Sequence, residues 1–469
     1  MDKMKVHIEK LGVIDNADLT IKPLTIFIGD NNTGKTWAAY VISAIISPTG
    51  MGYYYNAFKT GKLDEKYVLI ENAIENIATE GHAKIDLKKL FSAHCLDYVN
   101  NIARLSPTWL NQYLSTKHAS FKDLKIKFSI DDEIDLAIGR IIALPIDHKF
   151  SPTKDGTAKI NMFKEVDSPI IDFYTSVSGN EVLPEKMVRD FLYSNIFKMF
   201  YSSLRTDLFV LPSERTGLSS LKYKNIETIK TDKGYDINFK KGDEHLTQHI
   251  NHPVGLLFDL ISCYLTEENM DKIIEERKKC EAKKFIGLSE LLEKKLLNGS
   301  LYREVSKNKT KEILYKHSEK NVVLDMEVVS SLVKGISPLV LYLEAFADDN
   351  DLVVIDEPEM NLHPMAQVEL TELLAMLVNA KVNVIITTHS PYFVDHLVNL
   401  MKAYKSNNKE NIKDKFRLQN TDAFISQEKV SIYRFIDHKA IDILKPNGRI
   451  DWGTFSDVSR YVSKLYFDI

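Results

Sequence analysis

The spacing of hydrophobic positions changes along this chain in a way that marks a mixed α/β protein. Lys5-Val6-His7-Ile8-Glu9 alternates, Gly12 and Asp15-Asn16 punctuate, and Leu19-Thr20-Ile21 resumes, so residues 4–28 read as short strands. Four runs lose the alternation: Leu24-Thr25-Ile26-Phe27-Ile28, Leu208-Phe209-Val210-Leu211, Leu352-Val353-Val354-Ile355 and Val382-Asn383-Val384-Ile385-Ile386. A parallel strand covered by helices on both faces has this near-continuous apolar signature.

Helical spacing fills the intervals. Trp37-Ala38-Ala39-Tyr40-Val41-Ile42 is helix-compatible, and Ser47-Pro48-Thr49-Gly50-Met51-Gly52 reads as a breaker cluster that closes the first unit. From 53 to about 205 the pattern is mostly amphipathic helix, as in Glu71-Asn72-Ala73-Ile74-Glu75-Asn76-Ile77, interrupted by the strand-like 124–130. Residues 254–300 read as helical, with Glu275-Glu276-Arg277-Lys278-Lys279 as a solvated face. Strands are expected at 313–315 and 322–324, another at 430–435, and a closing helix around Asp451-Trp452-Gly453-Thr454-Phe455. No internal repeat or long low-complexity linker appears. The expected organisation is an α/β core of residues 1–46 and 206–469, a mainly helical insertion over 47–205, and a helical subdomain at about 250–310.

Composition narrows the class. With 44% hydrophobic and 27% charged residues over 469 positions, the chain can bury an ordinary core. The net charge of −4 gives no molecule-wide footprint for nucleic acid. Cys95, Cys263 and Cys280 are scattered without a CxxC, which argues against a zinc site or a disulfide framework. No apolar run approaches the roughly 18–20 residues that span a bilayer. Met1-Asp2-Lys3-Met4-Lys5 does not open a signal peptide, so a cytoplasmic protein is expected.

Candidate chemistry gathers where the apolar runs end. The first empties into Gly29-Asp30-Asn31-Asn32-Thr33-Gly34-Lys35-Thr36, a complete GxxxxGK[ST] between a strand and a helix. Such a loop cradles phosphates with its N–H groups; Lys35 would reach the β- and γ-phosphates, and the Thr36 hydroxyl would ligate Mg²⁺. A Gly-rich turn with a surface lysine is the bland alternative. The third run ends in Asp356-Glu357-Pro358-Glu359, and ligands sit at the carboxyl ends of parallel strands. Asp356 would hold Mg²⁺ there, and Glu357 would polarise the attacking water. The competing reading is an acidic turn. The fourth run delivers His389 to the same edge as a γ-phosphate contact. Ser330-Ser331 opens a helix and suits either anion binding or a plain N-cap.

Taken together, Gly29 to Thr36, Ser330-Ser331, Asp356-Glu357-Pro358-Glu359-Met360-Asn361-Leu362-His363-Pro364 and Thr388-His389-Ser390-Pro391 resemble the ATP-binding-cassette type ATPases of the OLD/RecF/SMC branch. The resemblance covers residues 1–46 and about 206–400. It implies a P-loop NTPase fold of ABC-ATPase type with an inserted subdomain, ATP and Mg²⁺ as ligands, and an ATP-linked homodimer or higher oligomer. Ser330 and Ser331 would belong to the signature that touches a second subunit's γ-phosphate. Asn361, Leu362 and His363 would form the D-loop at that interface. Leu332 stands where the family usually has Gly, and no residue is assigned to a Gln-loop. Leu211-Pro212-Ser213-Glu214-Arg215 looks like a recurrent strand-turn of bacterial members, with Arg215 either facing the site or making a structural salt bridge.

Stand-alone bacterial ATPases of this type resemble the subunits of anti-phage systems such as Septu and PARIS, which work beside a separately encoded nuclease or toxin. That implies such an effector as partner, nucleic acid contacted only indirectly, no membrane, and no nuclease activity on this chain alone. The roughly 80 residues after His389 contain no DxD pair, so a Toprim nuclease domain is not expected there. The alternative is a DNA-repair or chromosome-associated ATPase that binds DNA directly, which would want long heptads and a basic face. A third reading places toxin chemistry in the insertion at Asp131-Asp132-Glu133-Ile134-Asp135, whose bland alternative is a solvated turn.

Overall fold

The computed structural model describes residues 4–63, 65–151, 158–177, 183–205, 207–218, 226–231, 234–241, 244–305, 311–320 and 322–450, with 461, 464 and 465. The closing helix expected around 451–455 lies outside the described residues. The chain forms two compact units. One comprises Met1–Ile8, Val41–Trp109 and Leu124–Asp207; the other comprises Glu9–Tyr40, Leu110–Asp123 and Leu208–Ile469.

The second unit is built on a mixed sheet in the order Ile14–Ile21, Lys439–Asp442, Val430–Ile436, Leu24–Gly29, Asn383–Thr388, Leu352–Asp356, Leu208–Leu211. The last five of these strands run parallel. The four continuously apolar runs are all among them. Every residue of Leu352–Asp356, Asn383–Thr388 and Leu208–Leu211 is buried, as strands covered on both faces require. Val353, Ile355, Val384 and Ile386 share one core with Leu339, Leu343, Leu373 and Leu377 of the helices Ser331–Ala345 and Pro364–Asn379. In the parallel register Phe435 sits beside Gly29, Thr388 beside Ile28 and Asp356 beside Thr387. The carboxyl ends that carry the candidate chemistry therefore lie along one edge.

Two parts of this unit differ from the sequence expectation. The region expected to be helical to about 310 turns into strand at Gly299–Val305, which pairs with Lys311–His317. Asn298 takes the left-handed conformation (φ 50°) and ends the preceding helical turn, a position that asparagine tolerates better than most residues. A three-stranded meander, Ile226–Thr231, Gly234–Lys241 and Glu244–Ile250, was not anticipated, although Tyr235, Ile237 and Phe239 alternate with Asp236, Asn238 and Lys240 in its middle strand.

The first unit holds the helices Pro48–Lys59, Val68–Glu80, Leu87–Leu105, Asp131–Ala143 and Glu185–Leu204. Beside the expected strand near 124–130, seen at Lys125–Ser129, it carries a four-stranded antiparallel sheet in the order His82–Asp86, Ile170–Val177, Ala158–Lys164, Ile146–Phe150. The helix Lys35–Ile45 ends just before Ser47-Pro48, as expected of a breaker, but the same pair also starts the next helix. The Ser47 hydroxyl caps it by accepting from the Thr49 N–H, and proline is pre-set for the first helical position. Tyr54, Tyr67, Tyr98, Tyr193 and Phe197 interlock edge-to-face and tilted at the centre of the unit. The acidic cluster at 131–135 opens a helix, not a turn. Its Glu133 is fully buried and ion-paired with Arg205 at 3.2 Å, while the side chains of Asp131 and Asp132 lie outside the described residues.

Candidate functional site

The strand Leu24–Gly29 ends in a loop that leads directly into the helix Lys35–Ile45. Glycine is required at both hinges of that loop. A Cβ on Gly29 would strike the Phe435 carbonyl, and one on Gly34 (φ +93°) would lie 2.7 Å from Ile14 Cγ1. The Lys35 ammonium is buried and folds back over the loop, donating to the Gly29 carbonyl at 3.0 Å and the Asp30 carbonyl at 2.7 Å. Thr33 Oγ1 also donates to the Asp30 carbonyl, at 2.9 Å. Burial lowers the Lys35 pKa, and the carboxylates of Glu357 and Asp356 oppose that shift.

Thr36 joins the loop to the Asp356 strand. Its Oγ1 donates to Asp356 Oδ1 at 2.8 Å. Thr387, on the neighbouring parallel strand, donates its hydroxyl to the same oxygen, and Tyr40 approaches Oδ2 at 3.5 Å. Glu357 follows in the left-handed region (φ 49°), a conformation that costs a non-glycine residue about 1 kcal/mol or more. Its main chain is held in place: the N–H donates to the Thr387 carbonyl at 3.0 Å and to Thr387 Oγ1 at 3.2 Å. The strained backbone turns the Glu357 carboxylate toward His389, whose Nε2 lies 3.3 Å from Oε1.

Arg215 was open between facing the site and forming a salt bridge. It lies at the strand end of the site, on the main chain of Asp356 and Glu357. Its guanidinium is buried and donates to four carbonyls: Pro212 (3.1 Å), Gly335 (3.2 Å), Asp356 (2.7 Å) and Glu357 (2.8 Å). Burial lowers its pKa, with the charge of Asp356 opposing. Glu359, for which the sequence reading assigned no role, accepts the His389 N–H at 2.5 Å. Burial raises the Glu359 pKa. Thr387 and Tyr40 were likewise missed. The one available signal was position: Thr387 is next to last in a buried strand beside the Asp356 strand, where a hydroxyl is out of place unless it has a polar neighbour.

A cavity of about 520 Å³ is lined by Gly12, Val13, Asn31, Asn32, Thr33, Gly34, Lys35, Thr36, Trp37, Glu357 and His389. The loop, the Asp356-Glu357 strand end and His389 thus meet at one place. Ser330, Ser331, Asn361, Leu362 and His363 do not line it. Ser330 caps the helix Ser331–Ala345 by accepting the Val333 N–H at 3.3 Å, and Ser331 is exposed. His363 caps the helix Pro364–Asn379 through Nδ1, which accepts the Met365 N–H, and Asn361 is exposed at φ 62°. Leu362 is buried in the core, and its carbonyl accepts from Gln367 at 3.0 Å.

The arrangement offers a loop of N–H donors, a buried cation, hard oxygen donors at Thr36 and Asp356, and a carboxylate–imidazole pair. Such a set suits phosphate and a divalent ion. Among the described residues no helix is long and apolar enough to cross a membrane.

The structure is similar to several solved Smc heads. One is bound to the C-winged helix domain of ScpA (10% identity, TM-score 0.36, covering 94% of this chain and 98% of that chain). Another, from Pyrococcus furiosus, has an extended coiled coil and is bound to the C-terminal domain of ScpA (10%, TM-score 0.34, 99% and 100%). A third is the SMC head domain from Thermotoga maritima (10%, TM-score 0.30, 94% and 98%). No curated protein matches the chain. The family model described as AAA ATPase domain, AAA_15, matches residues 3–394, and the chain belongs to that family.

Proposed function

We propose that this chain binds ATP in the cavity at Gly29 to Thr36, hydrolyses it, and uses ATP-dependent self-association to control a separately encoded nuclease or toxin in defence against phage. The observation that carries the ATPase part is the hydrogen bond from Thr36 to Asp356. It joins two motifs 320 positions apart beside the Glu357–His389 pair. Lys35 and the loop N–H groups bind the β- and γ-phosphates. Glu357 takes a proton from the attacking water, and His389 contacts the γ-phosphate. Thr36 and Asp356 present the hard oxygens that suit Mg²⁺, and they would hold it; when bound, the ion neutralises phosphate charge.

Ser330 and Ser331 are exposed at a helix start, where a second copy's γ-phosphate could be met, and Asn361 and His363 are exposed beside Thr216 and Met365. That exposure supports the reading of these residues as trans contacts. The wording of Ile355–Pro364 and Thr387–Pro391 resembles the OLD/RecF/SMC branch as a whole, and the defence role rests on the further resemblance to its stand-alone bacterial members. Two measurements test the reading. Phosphate release from ATP with Mg²⁺ should be lost on Lys35→Ala. The product of the neighbouring reading frame should co-purify with the chain in a manner that changes between ATP and ADP. Phosphate release unchanged by the substitution removes the ATPase reading, and a neighbour that never co-purifies removes the effector.

A further inference from the structure

The lining of the cavity has an apolar part made by Gly12, Val13 and Trp37. Trp37 stands two residues beyond Lys35, in the first turn of the helix Lys35–Ile45. Its indole is held by two neighbours. The Gly12 backbone approaches so closely that a Cβ there would lie 2.5 Å from Trp37 Cζ3, and Phe121, itself buried, packs against the ring at 5.7 Å between centroids and 51° between planes. Val13 completes this part of the wall and is 46% exposed. Apart from the indole N–H of Trp37, none of the three side chains carries a polar atom. The polar side chains of the lining are those of the phosphate loop, Glu357 and His389.

We propose that Trp37 is a stacking platform for the base of the bound nucleoside triphosphate, and that the site accepts adenine and guanine alike. This rests on the nucleotide reading above and adds its selectivity. A residue just past the lysine and threonine of a phosphate loop is near the part of the ligand that joins phosphate to sugar, so an indole held there is within reach of the base. An aromatic face stacks on any base because every base has a π-face, whereas telling one purine from another takes polar groups aimed at its edge. The apolar wall supplies the first and not the second. Trp37 thereby separates nucleotides from base-free polyphosphates.

Calorimetric titration of the full chain with ATP, GTP and inorganic tripolyphosphate, each with Mg²⁺, tests this in the parent, Trp37→Leu and Trp37→Phe. The parent should bind ATP and GTP within about tenfold of each other, and both more tightly than tripolyphosphate. Trp37→Leu should weaken both nucleotides by about tenfold or more and leave tripolyphosphate unchanged, while Trp37→Phe recovers most of the loss. Tripolyphosphate weakened as much as ATP would mean that Trp37 only supports the loop, and the inference fails. It also fails if Trp37→Leu leaves ATP affinity intact, or if the parent separates ATP from GTP by more than about tenfold. A parent that binds tripolyphosphate as well as ATP overturns the platform but keeps the phosphate site. A parent that binds none of the three overturns the nucleotide reading as well.

Discussion

Arg215 donates to the carbonyl oxygen of Glu357 at 2.8 Å, and the same guanidinium donates to the carbonyl of Asp356 at 2.7 Å. A single buried side chain therefore holds the backbone of both carboxylates at the strand end, one of them in a strained left-handed conformation. The remaining donors reach Pro212 and Gly335, so the strand end is tied to the turn before Arg215 and to the helix Ser331–Ala345. The charges of Asp356, Glu359 and Glu357 also act on the guanidinium and favour its charged form.

Replacing Arg215 should therefore damage both stability and catalysis. Arg215→Ala leaves buried carbonyls without a charged donor, and about 3 kcal/mol of unfolding free energy should be lost. Arg215→Lys should recover only part, because one ammonium cannot reproduce the planar fork. Urea unfolding of the three proteins measures this, and a loss under 0.5 kcal/mol for the alanine variant, roughly the scatter of neutral surface changes, counts against the role. In folded Arg215→Lys, the rate of ATP hydrolysis should fall more than ATP affinity does, since the residue orients Glu357 and not the phosphate loop.

Lys35→Ala should abolish ATP binding while leaving the fold intact. The ammonium is the cation of the loop that faces the cavity, and its present partners are carbonyls of the same loop. Equilibrium binding measures the first expectation and circular dichroism the second. Affinity within a few-fold of the parent would remove Lys35 from the phosphate-binding set.

Glu293 gives the chain a pH dependence far from the cavity. Burial raises its pKa to about 7, although the Leu301 N–H donates to the carboxylate. A carboxyl that is harder to ionise in the folded state than in the unfolded one binds more protons when folded. The contribution of this carboxyl to stability is fully present below its ordinary value of 4.5 and is lost as pH rises from there through about 7. The drop should be on the order of 2 kcal/mol. Glu293→Gln keeps an acceptor for the Leu301 N–H without a charge, so its urea midpoint should change little between pH 5 and 7.5. Parallel pH profiles for parent and variant would exclude Glu293 as the source.

The sequence foretold the parts of this molecule that repeat a strong local pattern. Continuous apolar runs located all the parallel strands that carry the chemistry, because a strand buried on both faces has no freedom to be polar. The loop from Gly29 to Thr36 and the strand end at Asp356 were legible for the same reason: glycine spacing and a sudden pair of acids after apolar residues. Arg215, Thr387 and Glu359 could not be assigned this way. Each acts through the main chain of a residue distant in sequence, and nothing in the local pattern of residue types encodes which carbonyl or N–H a side chain reaches. The helix start at Ser47-Pro48 was missed because the residues that break helices also begin them.

Glu357→Gln should bind ATP and hydrolyse it slowly. The substitution keeps the size of the side chain and an oxygen within reach of His389, so the cavity and the contacts of Lys35 and Thr36 survive. In the proposed reading what is lost is the basic oxygen that would take the proton from water, and removal of a general base costs on the order of 10²–10⁴ in rate. A variant that holds ATP without consuming it should also accumulate any ATP-linked dimer, since hydrolysis would be what releases it. Single-turnover hydrolysis measures the first expectation, and light scattering with and without ATP measures the second. A rate within threefold of the parent would move the base elsewhere. A slow variant whose mass stays constant with ATP would keep Glu357 as the base and count against Ser330 and Ser331 as contacts to a second copy.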